Sequence, residues 1–420
     1  MLARIEPRPL AGTIPAIPSK SHVHRLLLAA AAADRPTLIR CAAFSADMDA
    51  TARCLPALGA SALQTAEGYL VTPGAAGTAE PTVDCGESGT TFRLLLPMTC
   101  ALGKSVQFLR AGRLPSRPLS PLYEELTAHG CTLSAQSADP FSCAGQLRGG
   151  AYTLAGNVSS QFISGLLFAL PLAAEDSVLH LTGTVSSASY IELTLQVLRL
   201  FGIEIHAVPG GYAIPGGQRF RSPGTVTAEG DWSNAAFWLC AGALAGSGVT
   251  VTGLRMDTVQ GDSACAALLQ RFGAHITVSG DAVTAAPGPL RAVDIDADAI
   301  PDLAPVLSLV AAAAAGESRI YNAGRLRYKE SDRLATTAAL LTALGGRVRE
   351  DADALVISGK PGLAGGICSA AGDHRIAMTA AVAAAVCAGP VTIQGAQAVN
   401  KSYPTFFDDF NRLGGKAGLQ

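Results

Sequence analysis

A helix-end signature recurs six times along the chain: Leu58-Gly59, His129-Gly130, Phe201-Gly202, Phe272-Gly273, Leu344-Gly345 and Leu413-Gly414. The glycines are 71, 72, 71, 72 and 69 residues apart. Each suits the position just past a helix, where φ is positive and a side chain is unfavourable. Most copies continue as alternating segments around a tight turn, as in Ile203–Ile214 with Gly210-Gly211 at its centre, which predicts a β-hairpin. A period of about seventy residues is longer than that of a solenoid, but the logic is the same: like units that bury their apolar faces against one another.

A second helical pattern recurs out of phase with the first. Its copies, at 26–33, 92–102, 162–174, 235–245, 303–315 and 376–388, are apolar on every face, so they are expected to be buried all round. They account for a composition that is 49% hydrophobic and only 15% charged. The unit is therefore strand, helix, strand, helix, hairpin. The sixth copy stops after Gly414 without its hairpin, while the chain begins with a spare extended segment, Leu2–Ile14. The N-terminus is expected to complete the last unit. Residues 1–15 with 229–420 then form one discontinuous α/β domain, and residues 16–228 form the other. Each domain holds three units, with buried helices inside and sheets outside, an inside-out α/β barrel. The active site is expected in the cleft between the two.

Composition excludes several classes. A net charge of −2 argues against a general nucleic-acid surface. The apolar runs are too short or too alanine-rich to span a membrane, and the N-terminus has no signal pattern. Ten cysteines without a Cys-x-x-Cys pair indicate neither a zinc site nor a disulfide frame, as suits a cytoplasmic protein.

Charge gathers where the buried helices begin. Arg325–Arg333 carries four cations and two acids in nine residues and leads into an amphipathic run that Gly345-Gly346 stops, so Lys329, Glu330 and Arg333 are expected near its first helical turn. Cations at a helix N-terminus oppose its dipole, a cost that an intervening anion removes. Lys20-Ser21 and Arg25 open the first buried helix, where Ser21 is a fair cap but two cations call for a partner. Gly86-Glu-Ser-Gly-Thr-Thr-Phe-Arg93 can present bare N–H groups around Gly89 to an anion. Arg117 is an anion-contact candidate, whereas Arg113 reads as a surface turn. Ser159, Ser160 and Gln161 offer three neutral donors at a helix start. Asp302 is expected to cap the fifth buried helix and to face the cations of 325–333. Asp373-His374-Arg375 opens the sixth, and Lys401 precedes the final helix. Cations with two acids suit a doubly anionic small substrate, or two anionic ones, with proton transfer by Asp302 and Glu330.

These motifs resemble those of the 3-phosphoshikimate 1-carboxyvinyltransferases, the EPSP synthase family of enolpyruvyl transferases. The resemblance rests on Lys20-Ser21 with Arg25, the Gly86–Arg93 loop, Ser159-Ser160-Gln161, Ile300-Pro-Asp302, Arg327-x-Lys329-Glu330-Ser-Asp-Arg333, Asp373-His-Arg375 and Lys401-Ser-x-Pro404, in the family's order over the whole chain. It implies transfer of the enolpyruvyl group of phosphoenolpyruvate to the 5-hydroxyl of shikimate 3-phosphate. Addition and elimination would run through a tetrahedral intermediate, without metal or organic cofactor, in a monomer. By matching position, Ser21, Arg25, Ser159, Ser160, Gln161, Ser187, Tyr190, Asp302 and Lys329 would hold shikimate 3-phosphate. Lys20, Gly89, Arg117, Gln161, Arg333, His374, Arg375 and Lys401 would hold phosphoenolpyruvate. Asp302 would be the base on the 5-hydroxyl, Glu330 would protonate the methylene carbon, and Lys20 would assist at the phosphate. The resemblance also implies inhibition by glyphosate, competitive with phosphoenolpyruvate.

Three positions depart from the family pattern. Glu87 stands where Asn is frequent and calls for a cation such as Arg93. Ala188-Ser189 replaces a more usual basic-Pro pair before Tyr190, which bears on Ser187. Arg325 lies at a variable position. The sister transferase acting on UDP-N-acetylglucosamine is the nearest rival, but residues 105–130 lack its cysteine and Lys20 is followed by Ser rather than Asn. A non-catalytic homologue would not be expected to keep Lys20, Asp302, Glu330, Arg333, His374 and Arg375 together. An RNA-end cyclase of similar repeats would show a basic stripe.

Overall fold

A computed structural model describes residues 1–74 and 81–420. Two compact units emerge, Met1–Ser19 with Glu229–Gln420, and Lys20–Ala228. The first crossing thus falls after Ser19, four residues beyond the position expected from sequence. The reason is local pairing. Pro18 bridges Gly230, Ser19 N–H donates to Glu229 O at 2.7 Å, and Asp231 N–H donates to Ile17 O at 2.8 Å. These bonds tie residues 17–19 to the returning chain.

Among the described residues there are six four-stranded sheets with one topology. Two strands run parallel, and a hairpin continues antiparallel. Thr82–Asp84, Val106–Leu109, Phe141–Gly145 and Cys131–Leu133 form one such sheet. Gly150–Ala155, Ser177–Thr182, Gly211–Ile214 and His206–Val208 form another, and Ile295–Asp296, Glu317–Tyr321, Leu355–Ser358 and Arg347–Glu350 a third. The remaining three use the ends of the chain and its crossings. Leu2–Ile5 lies between Val391–Gln394 and Ala417–Leu419, so the sixth hairpin takes one strand from each terminus. Ala11–Pro15 pairs parallel with Gly248–Thr252 of the fourth repeat, and Thr225–Thr227 pairs parallel with Thr37–Arg40 of the first. The chain therefore exchanges leading strands: each crossing comes between a strand and the helix that follows it.

Twelve α-helices are described. In chain order they are α1 Lys20–Ala31, α2 Ala46–Cys54, α3 Gly89–Ala101, α4 Leu122–Ala128, α5 Ser160–Ala169, α6 Ala188–Leu200, α7 Trp232–Leu244, α8 Ala264–Phe272, α9 Ala304–Ala313, α10 Arg333–Ala343, α11 His374–Ala383 and α12 Phe406–Arg412. The odd-numbered helices are the apolar ones, and they are buried almost end to end. Trp238 of α7 stacks on Phe406, with ring centroids 4.7 Å apart, beside Tyr403. Each such side chain contributes about 2 kcal/mol when taken out of water. In the Lys20–Ala228 unit, α3 meets α5 so closely that a Cβ on Gly165 would lie 2.5 Å from the Arg93 carbonyl oxygen. A side chain at Gly165 would push apart the helix starts that carry the polar residues.

Those starts are capped. Ser88 caps α3 and Ser159 caps α5, while Asp231, Asp332 and Asp373 cap α7, α10 and α11. Two expectations fail here. α1 already begins at Lys20, so Ser21 sits inside its first turn rather than capping it. Pro305 near the start of α9 sets that start at Ala304, two residues beyond Asp302, whose carboxylate is then not the cap.

Candidate active site

In the unit formed by Met1–Ser19 and Glu229–Gln420, the charged stretch Arg325–Arg333 is only partly helical. Gly324–Tyr328 is a 3₁₀ turn, and α10 begins at Arg333 because Asp332 accepts from Ala335 N–H at 3.1 Å. Lys329 and Glu330 therefore precede the helix, where the sequence pattern expected its first turn. Arg327 stabilises the turn through Asp332 at 2.9 Å, Glu350 at 2.7 Å and the Ala352 carbonyl at 3.1 Å. Arg325 is held by Asp298 at 3.0 Å.

Arg333 is the centre of the cluster, with a side chain only 1% exposed. Its Nε donates to Asp373 Oδ2 at 2.8 Å, Nη1 to Asp302 Oδ1 at 2.7 Å, and Nη2 to Glu330 Oε2 at 2.6 Å. Arg375 Nη2 reaches the other Asp302 oxygen at 3.1 Å and also donates to Ser233 Oγ at 2.7 Å, while its Nη1 donates to Ser233 O at 2.9 Å. One carboxylate is thus shared between two buried guanidinium groups, one oxygen each. Ser233 is itself fixed by donating to Asp231 Oδ1 at 2.6 Å. Asp373 also accepts from Ser331 Oγ at 3.0 Å and from Arg375 N–H at 2.9 Å. His374 Nδ1 lies 3.9 Å from Asp373 Oδ1. Lys401 Nζ donates to the Gly372 carbonyl at 2.7 Å, just before this helix start.

The electrostatics follow from those distances. Burial would raise the Asp302 carboxyl, but Arg375, then Arg333 and Lys329, outweigh it and hold it well below the usual carboxylate range. Burial lowers Lys329 to about 8, against the pull of Asp302. Burial would also lower Arg333, but Asp373, Glu330 and Asp302 raise it. Such a cluster can accept a carboxylate or phosphate in place of one of its own acids, and it sets a carboxyl group beside the anion seat for proton transfer.

The Lys20–Ala228 unit carries the other predicted residues. Lys20 Nζ pairs with Asp47 at 2.8 Å. Arg25, 2% exposed, donates to the Ser21 carbonyl at 2.7 Å, the Tyr190 carbonyl at 3.0 Å and Thr194 Oγ1 at 2.8 Å. Thr194 in turn donates to Ser164 Oγ at 2.8 Å. Arg93 Nη1 donates to Gln161 Oε1 at 2.8 Å and Nη2 to the Pro118 carbonyl at 2.9 Å, while Gln161 Nε2 donates to Thr90 Oγ1 at 2.9 Å. Gln161 is thereby fixed at the start of α5 beside Ser159 and the buried Ser160. A Cβ on Gly89 would lie 2.6 Å from Arg117 Nη1, so Arg117 and the glycine loop share one locus. Glu87 lies against Gly112, where a Cβ would fall 2.6 Å from its carboxyl carbon. Arg113 is exposed, as expected of a turn. Ser187 precedes α6 with φ 52°, a left-handed conformation unusual for serine and of the kind that collects at binding sites.

Several residues went unread in the sequence. Asp47 belongs to a capping pattern, Ser45-x-x-Met48, that hides its link to Lys20 twenty-seven residues away. Thr194 and Ser164, under Arg25, resemble ordinary helix residues. Ser233 and Asp231 had a signal, a polar cluster before an apolar run, but nothing that tied them to Arg375. Among the described residues no group of three or more His, Cys, Asp or Glu is set to hold a metal.

Comparison with known proteins shows the family and the fold. The family model described as EPSP synthase (3-phosphoshikimate 1-carboxyvinyltransferase) matches residues 5–410. The chain is 38% identical over 419 residues to the 3-phosphoshikimate 1-carboxyvinyltransferase of Clostridium kluyveri, covering 98% of this chain and 97% of that one. It is 35% identical over 412 residues to the enzyme of the same name from Methanocorpusculum labreanum, covering 96% of each. Among solved structures, an EPSP synthase from Acinetobacter baumannii superposes with a TM-score of 0.82 at 25% identity over 100% of both chains. An enolpyruvyl transferase from Streptomyces tendae shares the fold, with a TM-score of 0.81 at 23% identity over 99% of this chain and 98% of that one. This chain belongs to the EPSP synthase family.

Proposed function

We propose that the protein transfers the enolpyruvyl group of phosphoenolpyruvate to the 5-hydroxyl of shikimate 3-phosphate. The observation that carries this reading is the Asp302 carboxylate shared by Arg333 and Arg375, with Glu330 on the same arginine. In this reading the carboxylate of phosphoenolpyruvate takes over the two guanidinium groups, with Lys401 and His374 beside them. Asp302, released, accepts the proton of the 5-hydroxyl as its oxygen bonds to C2. Glu330 delivers a proton to C3, giving a tetrahedral adduct. The adduct then loses C3's extra proton and the phosphate, which leaves the enol ether and free phosphate. Lys20, Gly89, Arg117 and Gln161 serve the phosphoenolpyruvate phosphate. Ser21, Arg25, Ser159, Ser160, Gln161, Ser187, Tyr190 and Lys329 hold shikimate 3-phosphate. We read each unit as an inside-out barrel and the protein as a cytoplasmic monomer. Ten buried free thiols suit that compartment, and among the described residues no helix is long and apolar enough to cross a membrane. Phosphate release that requires both substrates tests the reading, and release on UDP-N-acetylglucosamine instead would replace it with the sister reaction.

Two predictions arise from this site. Gly89→Ala puts a methyl group against the tip of a flexible arginine, so the fold should tolerate it. The displaced Arg117 should raise KM for phosphoenolpyruvate about tenfold, and glyphosate competition should weaken with it. Steady-state kinetics with and without glyphosate checks this, and an unchanged KM would remove Arg117 from the site. Lys329 should lose its charge through about pH 8. KM for shikimate 3-phosphate should therefore climb above pH 8, and Lys329→Arg, which stays charged, should flatten the climb. Stability should move the other way. The folded value lies below the unfolded 10.5, so the unfolded chain binds the proton more tightly and folding gains between about pH 8 and 10.5.

A further inference from the structure

A run of buried hydrogen bonds links the helix carrying Lys20 and Arg25 to the loop carrying Gly89. His24, on α1, is 0% exposed, and its Nδ1 lies 2.6 Å from Thr51 Oγ1 on α2. Thr51 Oγ1 lies 2.6 Å from Thr91 Oγ1 on α3. Thr91 Oγ1 donates to Ser88 Oγ at 2.7 Å, and Thr91 N–H donates to the same oxygen at 3.3 Å. Thr51 and Thr91 are 0% exposed and Ser88 is 1%.

The run has a single polarity. A hydroxyl has one proton to give. Thr91 gives its proton to Ser88, so Thr51 must give its own to Thr91, and His24 Nδ1 must donate to Thr51. The imidazole is therefore the Nδ1–H tautomer with a bare Nε2, which has no hydrogen-bond partner among the described residues. Burial, reinforced by Lys20 and then Arg25, drives its pKa well below the usual value and keeps it neutral. The order of the three hydroxyls, on α2, on α3 and at the α3 cap, is thus set from the His24 end on α1. Without Nδ1–H, Thr51 is free to turn, and Thr91 and Ser88 with it.

We propose that His24 is a positioning residue for the anion loop: acting through Thr51 and Thr91, it fixes the Ser88–Gly89 turn relative to Lys20 and so sets the phosphoenolpyruvate seat. The proposal rests on the reaction given above. No atom of His24 needs to touch substrate.

The test uses three variants of the full-length protein. Thr51→Val keeps the shape and removes the hydroxyl, His24→Leu removes the donor, and His24→Asn keeps an amide N–H near the position of Nδ1. In Thr51→Val and His24→Leu, KM for phosphoenolpyruvate should rise about tenfold, the equivalent of about 1.4 kcal/mol. KM for shikimate 3-phosphate should stay within about twofold and kcat within about threefold, and His24→Asn should recover most of the loss. Hydrogen exchange at the amides of 88–91 should quicken in Thr51→Val and remain near wild type in His24→Asn. Equal changes in both KM values, or a lower melting temperature with kinetics and local exchange unchanged, would overturn the proposal. Wild-type protein that releases no phosphate would refute the reaction instead, and the exchange comparison would still decide whether His24 positions the loop.

Discussion

Glu330→Gln should lower turnover about a thousandfold while leaving both KM values within a few-fold, as loss of a general acid does. The substitution keeps size, and its amide oxygen can still accept from Arg333, whose bond to Glu330 Oε2 is 2.6 Å long. The seat for the anion is thus preserved and only the transferable proton goes. The neighbours sharpen the assignment. Asp302 is held well below the usual carboxylate range by Arg375, Arg333 and Lys329 once their pull has outweighed burial, so it enters the reaction ionised, a base for the 5-hydroxyl with no proton to give carbon. Asp373 is fully buried and committed to Arg333, Ser331 and the helix cap. Glu330 and Asp302 both have side chains 19% exposed and in contact with the arginine, so burial sets aside only Asp373, and the ionised state of Asp302 leaves Glu330 as the donor. Rapid-quench phosphate release separates chemistry from product release and checks the size of the effect. Turnover within about threefold of wild type would take proton delivery away from Glu330 and assign it to Lys20 or a water.

What could be read in the sequence depended on how far apart the determining residues lie. The odd-numbered helices were visible because apolarity on every face is a local property: twelve of the thirteen residues of α7 are buried, as the run Ala235–Ala245 implied. Recurrence made the repeat visible. Strand exchange was not, because the pairings of Ala11–Pro15 with Gly248–Thr252 and of Thr225–Thr227 with Thr37–Arg40 join segments nearly two hundred residues or more apart. Nothing in an extended pentapeptide names its partner. At the site, Arg333 stood out by charge density. The start of its helix was misplaced because Asp332 outcompetes the preceding residues as a cap, leaving Lys329 and Glu330 on the approach. Asp302 looked like a cap for want of any sign that Pro305 sets the helix start. The partners that orient the cations (Asp47, Thr194 and Ser233) are short polar residues with an ordinary local role, and only the fold reveals their second one.

Arg333→Met should destabilise its unit by about 3–5 kcal/mol at neutral pH, because removing one partner of a buried ion pair leaves the others uncompensated. The guanidinium, 1% exposed, meets Asp373, Asp302 and Glu330 at 2.8, 2.7 and 2.6 Å. Methionine fills much of the volume, so packing is not the main loss. For a unit of this size the melting temperature should fall by about 10 °C. The pH dependence distinguishes charge from packing. Asp302's folded pKa is depressed below its unfolded value, so its contribution is present above the unfolded value, about 3.9, and is lost as pH falls through the folded one. The difference between wild type and Arg333→Met should therefore narrow as pH drops toward and below 4. A packing defect would keep the same size at every pH. Adding Asp373→Asn to Arg333→Met should restore part of the stability, since the amide fits the site without a charge to bury, whereas the same change in the wild type should cost stability. Denaturant titration of the four proteins gives the coupling. A variant within about 1 kcal/mol of wild type at pH 7 would mean that the three acids repel one another enough to make the arginine replaceable, and the cluster would then be held together for binding rather than for the fold.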